Sequence, residues 1–150
     1  MIHNTQHPRK DGLPLDHMVE VLICDDDPSI REALKSLFST YALSKADDPG
    51  SNIKVVSEAA NGQEALHRIA KYQPDVVLMD AHMPVMDGCE ATRAIKTSWP
   101  QVKVVMLTIN SSLEQAARAA GADAFLLKGC AVEKMIDTIL ITARPDCEHA

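Results

Sequence analysis

Five polar residues stand at the ends of short apolar runs in this chain. Asp25 and Asp26 follow Val19–Ile23 and Cys24, Asp80 follows Val76–Met79, Thr108 follows Val102–Leu107, and Lys128 follows Ala124–Leu127. Carboxylates brought together repel, and each shifts toward its neutral form unless positive charge sits among them. A hard divalent cation with oxygen ligands meets that need; Mg²⁺ is the abundant candidate, with Mn²⁺ as its substitute. Lys128 adds a second cation and Thr108 a hydroxyl donor. Such a set suits phosphoryl transfer: the carboxylate attacks phosphorus while the cations and the hydroxyl neutralise the equatorial oxygens. Taken singly, the residues say little, because an Asp at a strand end ordinarily caps the next helix. Their joint placement at successive strand ends is the signal.

The elements that must position them follow from hydrophobic periodicity. Val19–Ile23, Ile53–Val56, Val76–Met79, Val102–Leu107 and Ala124–Leu127 read as five short strands. Between them lie stretches with helical spacing: Ile30, Ala33, Leu34, Leu37 and Phe38; then Ala65, Leu66, Ile69 and Ala70; then about 89–97. Leu113, Ala116, Ala117 and Ala120 follow, and Val132, Met135, Ile136, Ile139, Leu140 and Ala143 close the series. Ser29 is the expected N-cap of the first helix and Ser112 that of the fourth, while Asn61-Gly62 introduces the second. The run Asp47-Asp48-Pro49-Gly50-Ser51 within 43–52 is a loop.

Strict alternation of strand and helix predicts an α/β domain with a parallel sheet. Strands that are apolar throughout, rather than alternating, belong to a sheet covered on both faces. With right-handed crossovers this is an open, doubly wound, flavodoxin-like (βα)5 sheet of five strands, with helices on both faces. Ligands bind such sheets outside the carboxyl edge, where all five polar residues converge.

Composition bounds the rest. The chain has 150 residues, 46% of them hydrophobic and 24% charged, as expected of one folded globular domain. Its net charge of −6 disfavours nonspecific attraction to nucleic acid or anionic membrane by this chain. No apolar run approaches the ~20 residues of a membrane span. The four cysteines show no ligand spacing, so Cys24, Cys89 and Cys130 read as reduced apolar fillers and Cys147 as a tail thiol. The expected location is cytoplasmic. Residues 1–17 read as a flexible arm, 18–144 as the folded domain and 145–150 as a short tail.

Four segments carry a family resemblance. They are Leu22-Ile23-Cys24-Asp25-Asp26-Asp27-Pro28-Ser29-Ile30-Arg31; the stretch from Pro74 through Met79-Asp80-Ala81-His82-Met83-Pro84-Val85-Met86-Asp87-Gly88; Val105-Met106-Leu107-Thr108; and Gly121 through Lys128. Together they resemble the receiver domain of bacterial two-component response regulators, over about Val19 to Ala143. The Ala-Ala-Asn-Gly-Gln-Glu-Ala run at 59–65 and Leu126-Leu127-Lys128-Gly129 are most similar to the NarL/LuxR-type subfamily. The resemblance implies that Asp80 accepts phosphate from a sensor histidine kinase or phosphotransfer protein. It implies Mg²⁺ on Asp26, Asp80 and the backbone carbonyl of His82, with Asp25 acting mainly through a bound water. Lys128 would contact the acyl phosphate, Thr108 would move to bind it, and Phe125 would rotate inward as the switch aromatic. Homodimerisation through the fourth and fifth helices is a further family expectation.

The chain departs from the family pattern in places. Asp27 is a third consecutive acid, expected to be solvated or to act as helix N-terminal charge. Gly129 follows Lys128 where many relatives carry a cis proline, and Phe125 lacks a tyrosine hydroxyl. Ile109 follows the switch threonine where a small residue is usual, and its side chain is expected to shield the acyl phosphate. His82 is a second candidate modulator of phosphate lifetime.

Too few residues follow the last helix for a helix-turn-helix, so the sequence predicts no output domain within it. Two readings follow: a receiver signalling through protein contacts, or the receiver portion of a NarL/LuxR-type DNA-binding regulator. In either, chemistry is limited to self-phosphorylation and autodephosphorylation. A remote alternative, an aspartyl-phosphate phosphatase resembling haloacid dehalogenases, wants an Asp two residues after the nucleophile, where this chain has His82.

Overall fold

The structure, a computed structural model, describes residues 18–44 and 52–144. The expected arm at 1–17, the tail at 145–150, Cys147 and most of the 43–52 loop lie outside them. The elements run β1 (Val19–Cys24), α1 (Pro28–Ser44), β2 (Ile53–Ala59), α2 (Gly62–Tyr72), β3 (Val76–Asp80), α3 (Gly88–Ser98), β4 (Lys103–Thr108), α4 (Glu114–Ala119), β5 (Ala124–Leu127) and α5 (Val132–Thr142). The strands form one sheet in the order β2-β1-β3-β4-β5, every neighbouring pair parallel. The expected doubly wound architecture is therefore correct.

Side chains alternate across the sheet, and both faces are covered. Leu22, Cys24, Val77, Met79, Val104 and Met106 pack with Ala65, Ile69, Ala91, Ile95 and Ala117 of α2, α3 and α4. Val21, Ile23, Val76, Leu78, Val105 and Leu107 face the other way, onto Leu34 and Phe38 of α1 and Met135, Ile136 and Ile139 of α5. Two buried faces are why the strands read as unbroken apolar runs. Fully burying each large aliphatic or aromatic side chain contributes on the order of 1.5–3 kcal/mol.

Several boundaries differ from expectation. Asp27, not Ser29, caps α1: its carboxylate accepts the Ser29 N–H at 2.8 Å, and Pro28 takes the first helical position. A proline there needs no hydrogen-bond partner for a missing N–H, which moves the cap back by two residues. Asn110, not Ser112, caps the turn before α4, accepting both the Ser112 N–H (3.0 Å) and its hydroxyl (2.7 Å). A single 3-10 turn over Ser111–Leu113 precedes α4, which is only six residues long. β2 extends three residues past Val56 because a register shift between Val21 and Leu22 lets Leu22, Ile23 and Cys24 pair with Ser57, Glu58 and Ala59. α1 continues to Ser44, into the stretch expected to be loop.

Candidate functional site

β1, β3, β4 and β5 deliver the predicted residues to one carboxyl edge. Asp25 lies one residue beyond β1, Asp80 and Thr108 are the last residues of β3 and β4, and Lys128 lies one residue beyond β5. Asp25, Asp80 and Thr108 are buried, whereas Asp26 is exposed. Lys128 joins the acids directly: its Nζ donates to Asp25 Oδ2 at 2.9 Å and lies 3.3 Å from Asp80 Oδ1.

One oxygen from each of Asp25, Asp26 and Asp80 can lie within 4.8 Å of the other two. The donors are all carboxylate oxygens, without nitrogen or thiolate, which suits a hard ion such as Mg²⁺ and not a soft one. The residues present therefore fit the implied metal.

The electrostatics follow the geometry. Burial, reinforced by the Asp25 carboxylate, raises the Asp80 carboxyl above its usual range, against the opposing pull of Lys128 and of the His82 backbone amide. Burial alone would lower the Lys128 amine, but the Asp25 hydrogen bond and the Asp80 charge outweigh it, and its pKa is raised. Lys128 therefore stays cationic through the neutral range.

A raised carboxyl binds its proton more tightly in the folded chain. Its contribution to stability is full below the unfolded pKa and is lost as pH rises through the folded one. In chelator at neutral pH, Asp80→Asn is thus expected to melt above the wild type, with the gap closing as pH falls into the carboxylate range. Thermal melts of both proteins across that range check it; a variant melting below wild type at neutral pH would contradict it.

The loop after β3 is fixed by close backbone approach. Gly88 N–H donates to Ala81 O at 2.9 Å, and a Cβ on Gly88 would sit 2.3 Å from the Asp80 carbonyl oxygen. Gly62, opening α2, donates to Met86 O at 2.9 Å, and a Cβ there would meet that oxygen at 2.6 Å. Two glycines thus clasp the segment that carries His82. Between them Val85 takes a positive φ of 68° and is 80% exposed.

The remaining candidates are placed as follows. Thr108 Oγ1 accepts the Asn110 N–H at 3.2 Å. Ile109, one residue past β4, is 80% exposed, and His82, two residues past Asp80 at the end of β3, is exposed as well. Phe125 is half-buried against the α4 side of the sheet. All described peptide bonds, including Lys128–Gly129, are trans. Cys24 is buried, and desolvation pushes its thiol far up, as expected of a filler.

Sequence reasoning missed Arg31 and Glu58. Arg31 donates through Nη1 to the Asp25 carbonyl at 2.7 Å and through Nε to Glu58 at 2.7 Å. Arg31 was visible only as part of the family-like segment, and Glu58 lies 27 residues away on β2.

Comparison with known proteins decides the family. Residues 21–140 match the response regulator receiver domain. The chain belongs to that family. The response regulator protein VraR of Staphylococcus aureus is 38% identical over 128 residues, spanning 84% of this chain and 57% of VraR. The transcriptional regulatory protein LnrK of Bacillus subtilis is 36% identical over 125 residues, spanning 82% of this chain and 53% of LnrK. The chain thus spans about half the length of these curated relatives. Among solved structures, the signal receiver domain of the putative response regulator NarL from Mycobacterium tuberculosis superposes with a TM-score of 0.74 at 29% identity, covering 85% of this chain and 97% of that one. A LuxR-family two-component response regulator from Aurantimonas sp. gives 0.72 at 27%, covering 89% and 94%. Among the described residues of this receiver domain, no helix is long and apolar enough to cross a membrane.

Proposed function

We propose that this receiver domain accepts a phosphoryl group on Asp80 from the phosphohistidine of a sensor histidine kinase or phosphotransfer protein. The observation that carries the reading is the meeting of three carboxylates with a lysine that bridges Asp25 and Asp80 at 2.9 and 3.3 Å. An Asp80 oxygen attacks phosphorus; the P–O bond forms, the P–N bond breaks, and the imidazole leaves with the electron pair and takes up a proton. Asp25, Asp26, Asp80 and the His82 backbone carbonyl would hold Mg²⁺ or Mn²⁺, which supplies positive charge to the phosphoryl oxygens. Lys128 shifts from the carboxylates to a phosphoryl oxygen. Thr108 leaves the Asn110 amide for the phosphate, and Phe125 follows it inward, repacking the α4–β5–α5 side.

On this reading the chain performs self-phosphorylation and autodephosphorylation only, and its output is a change in protein contacts, with α4 and α5 as the homodimer surface. It works in the cytoplasm, without membrane or direct nucleic-acid contact of its own. A second reading, the receiver portion of a NarL/LuxR-type transcriptional regulator, is favoured by the names of its relatives and by the half of their length it spans. Acetyl phosphate with Mg²⁺ should add one phosphoryl group to the wild type by intact mass, and none to Asp80→Asn.

Ile109, exposed at the end of β4 beside Thr108, shields the acyl phosphate from water. Ile109→Ala should shorten the phosphoprotein half-life several-fold; an unchanged decay rate, followed by mass or radiolabel, rejects the role. His82, two residues past Asp80, is the second candidate for tuning the same hydrolysis.

A further inference from the structure

We infer that Arg31 is a positioning residue for the metal site: anchored on Glu58, its guanidinium holds the turn that aims Asp25 and Asp26 at Asp80. The inference rests on the metal reading above and adds the group that sets the geometry of that site.

Four contacts hold Asp25. Two use its carboxylate: Oδ1 accepts the Asp27 N–H at 2.9 Å, and Oδ2 accepts Lys128 Nζ at 2.9 Å. Two use its backbone: its N–H donates to Ala59 O at 3.0 Å, and its carbonyl accepts Arg31 Nη1 at 2.7 Å. A cation on the Asp25 carboxylate competes with the first pair, for the same lone pairs and by repelling Lys128. The backbone pair is untouched by such competition. One of its members is an ordinary strand-end hydrogen bond, so Arg31 is the side chain that keeps the acidic turn in place when a metal binds.

The arginine is itself held. Its Nε donates to Glu58 Oε1 at 2.7 Å, and Lys35 Nζ binds the other Glu58 oxygen at 2.7 Å. Lys35 foremost, and then Arg31, keep the Glu58 carboxyl below its usual range, so the anchor stays ionised. Glu58 directly precedes Ala59, the acceptor of the Asp25 N–H. The end of β2 and the first turns of α1 are thus clamped around one residue, Asp25, through its N–H and its carbonyl. A planar guanidinium can address a carboxylate and a carbonyl at once, in a fixed fork; an ammonium cannot reproduce that geometry. Groups that orient metal ligands in this way typically change metal affinity by about 10–100-fold when removed.

The test measures Mg²⁺ affinity of the full chain by calorimetry, with melting in chelator and exchange of the Asp27 amide by NMR as metal-free readouts. Arg31→Gln should weaken Mg²⁺ binding by about 10-fold or more and speed Asp27 amide exchange. Arg31→Lys should fall between it and wild type, and Glu58→Gln should weaken binding less. A purely structural tether between α1 and β2 would lower the melting temperature and leave Mg²⁺ affinity unchanged, and that result overturns the inference while the metal reading stands. If Arg31→Gln does not fold, Glu58→Gln decides, and unchanged affinity in it overturns the inference. If the wild type itself binds no Mg²⁺, the metal reading fails and the inference with it.

Discussion

Lys128→Met is expected to slow phosphorylation of Asp80 by acetyl phosphate by a factor of about 10²–10³, the usual loss when one preorganised charge donor is removed from a transfer site. The side chain is 23% exposed and lies between two carboxylates that are 4% and 7% exposed. Methionine keeps the length and removes the charge. Two effects then act together. The transferring oxygens lose a cation, and the Asp25 and Asp80 carboxylates face one another with nothing between them but any bound metal. Because Lys128 is one of the groups that lower the Asp80 carboxyl, its loss raises that carboxyl further. At neutral pH more of Asp80 is then protonated and unable to attack. The sign has a second consequence: in chelator the variant should lose more stability at neutral pH than in acid, where the carboxylates are neutral. Initial rates by intact mass and melts at two pH values check both parts. A rate within a small factor of wild type would remove Lys128 from the transfer step.

Gly88→Ala is expected to carry the largest stability cost of any single methyl addition around the site. The new Cβ would stand 2.3 Å from the Asp80 carbonyl oxygen and 2.9 Å from the Ala81 Cα, both backbone atoms that no rotamer change can move. Relief requires α3 to withdraw from β3. Ala91 and Ile95, fully buried on that helix, and the Asp87 cap, which accepts the Glu90 N–H at 2.9 Å, resist the withdrawal. Overpacking of this kind costs about 3 kcal/mol, which for a domain of this size lowers the melting temperature by roughly 10 °C. Whatever fold survives has the Asp80 peptide displaced, so phosphorylation should fall as well. A variant that melts with wild type and is phosphorylated at the wild-type rate would mean that the helix yields freely, and that Asp80 is not positioned by this contact.

Much of the site was legible in the sequence because each of its main residues marks the end of an apolar run. Asp80, Thr108 and Lys128 needed only the strand assignment and the rule that parallel sheets bind ligands at their carboxyl edge. What escaped were relations between elements. Arg31 and Glu58 lie 27 residues apart on α1 and β2, and neither follows an apolar run in a way that singles it out. The steric role of Gly88 depends on how closely α3 approaches β3, which spacing does not encode. The cap assignments failed for a local reason. Asp27 and Asn110 outcompete Ser29 and Ser112 because each Asx side chain reaches the amide two residues on. β2 was cut short at Val56 because the polar Ser57 and Glu58 look like loop, whereas they pair with Leu22 and Ile23 at the sheet edge and Glu58 is used there by Arg31 and Lys35.

The central claim is that Asp80 takes the phosphoryl group at a Mg²⁺-dependent site. It is tested most directly by adding beryllofluoride with Mg²⁺ to isotope-labelled protein and following the amide spectrum. The account predicts a saturable, Mg²⁺-dependent change centred on Asp80, Thr108 and Lys128 and reaching Phe125, and no such change in Asp80→Asn. A wild-type spectrum that is unaltered, or a response that persists in Asp80→Asn, would contradict it.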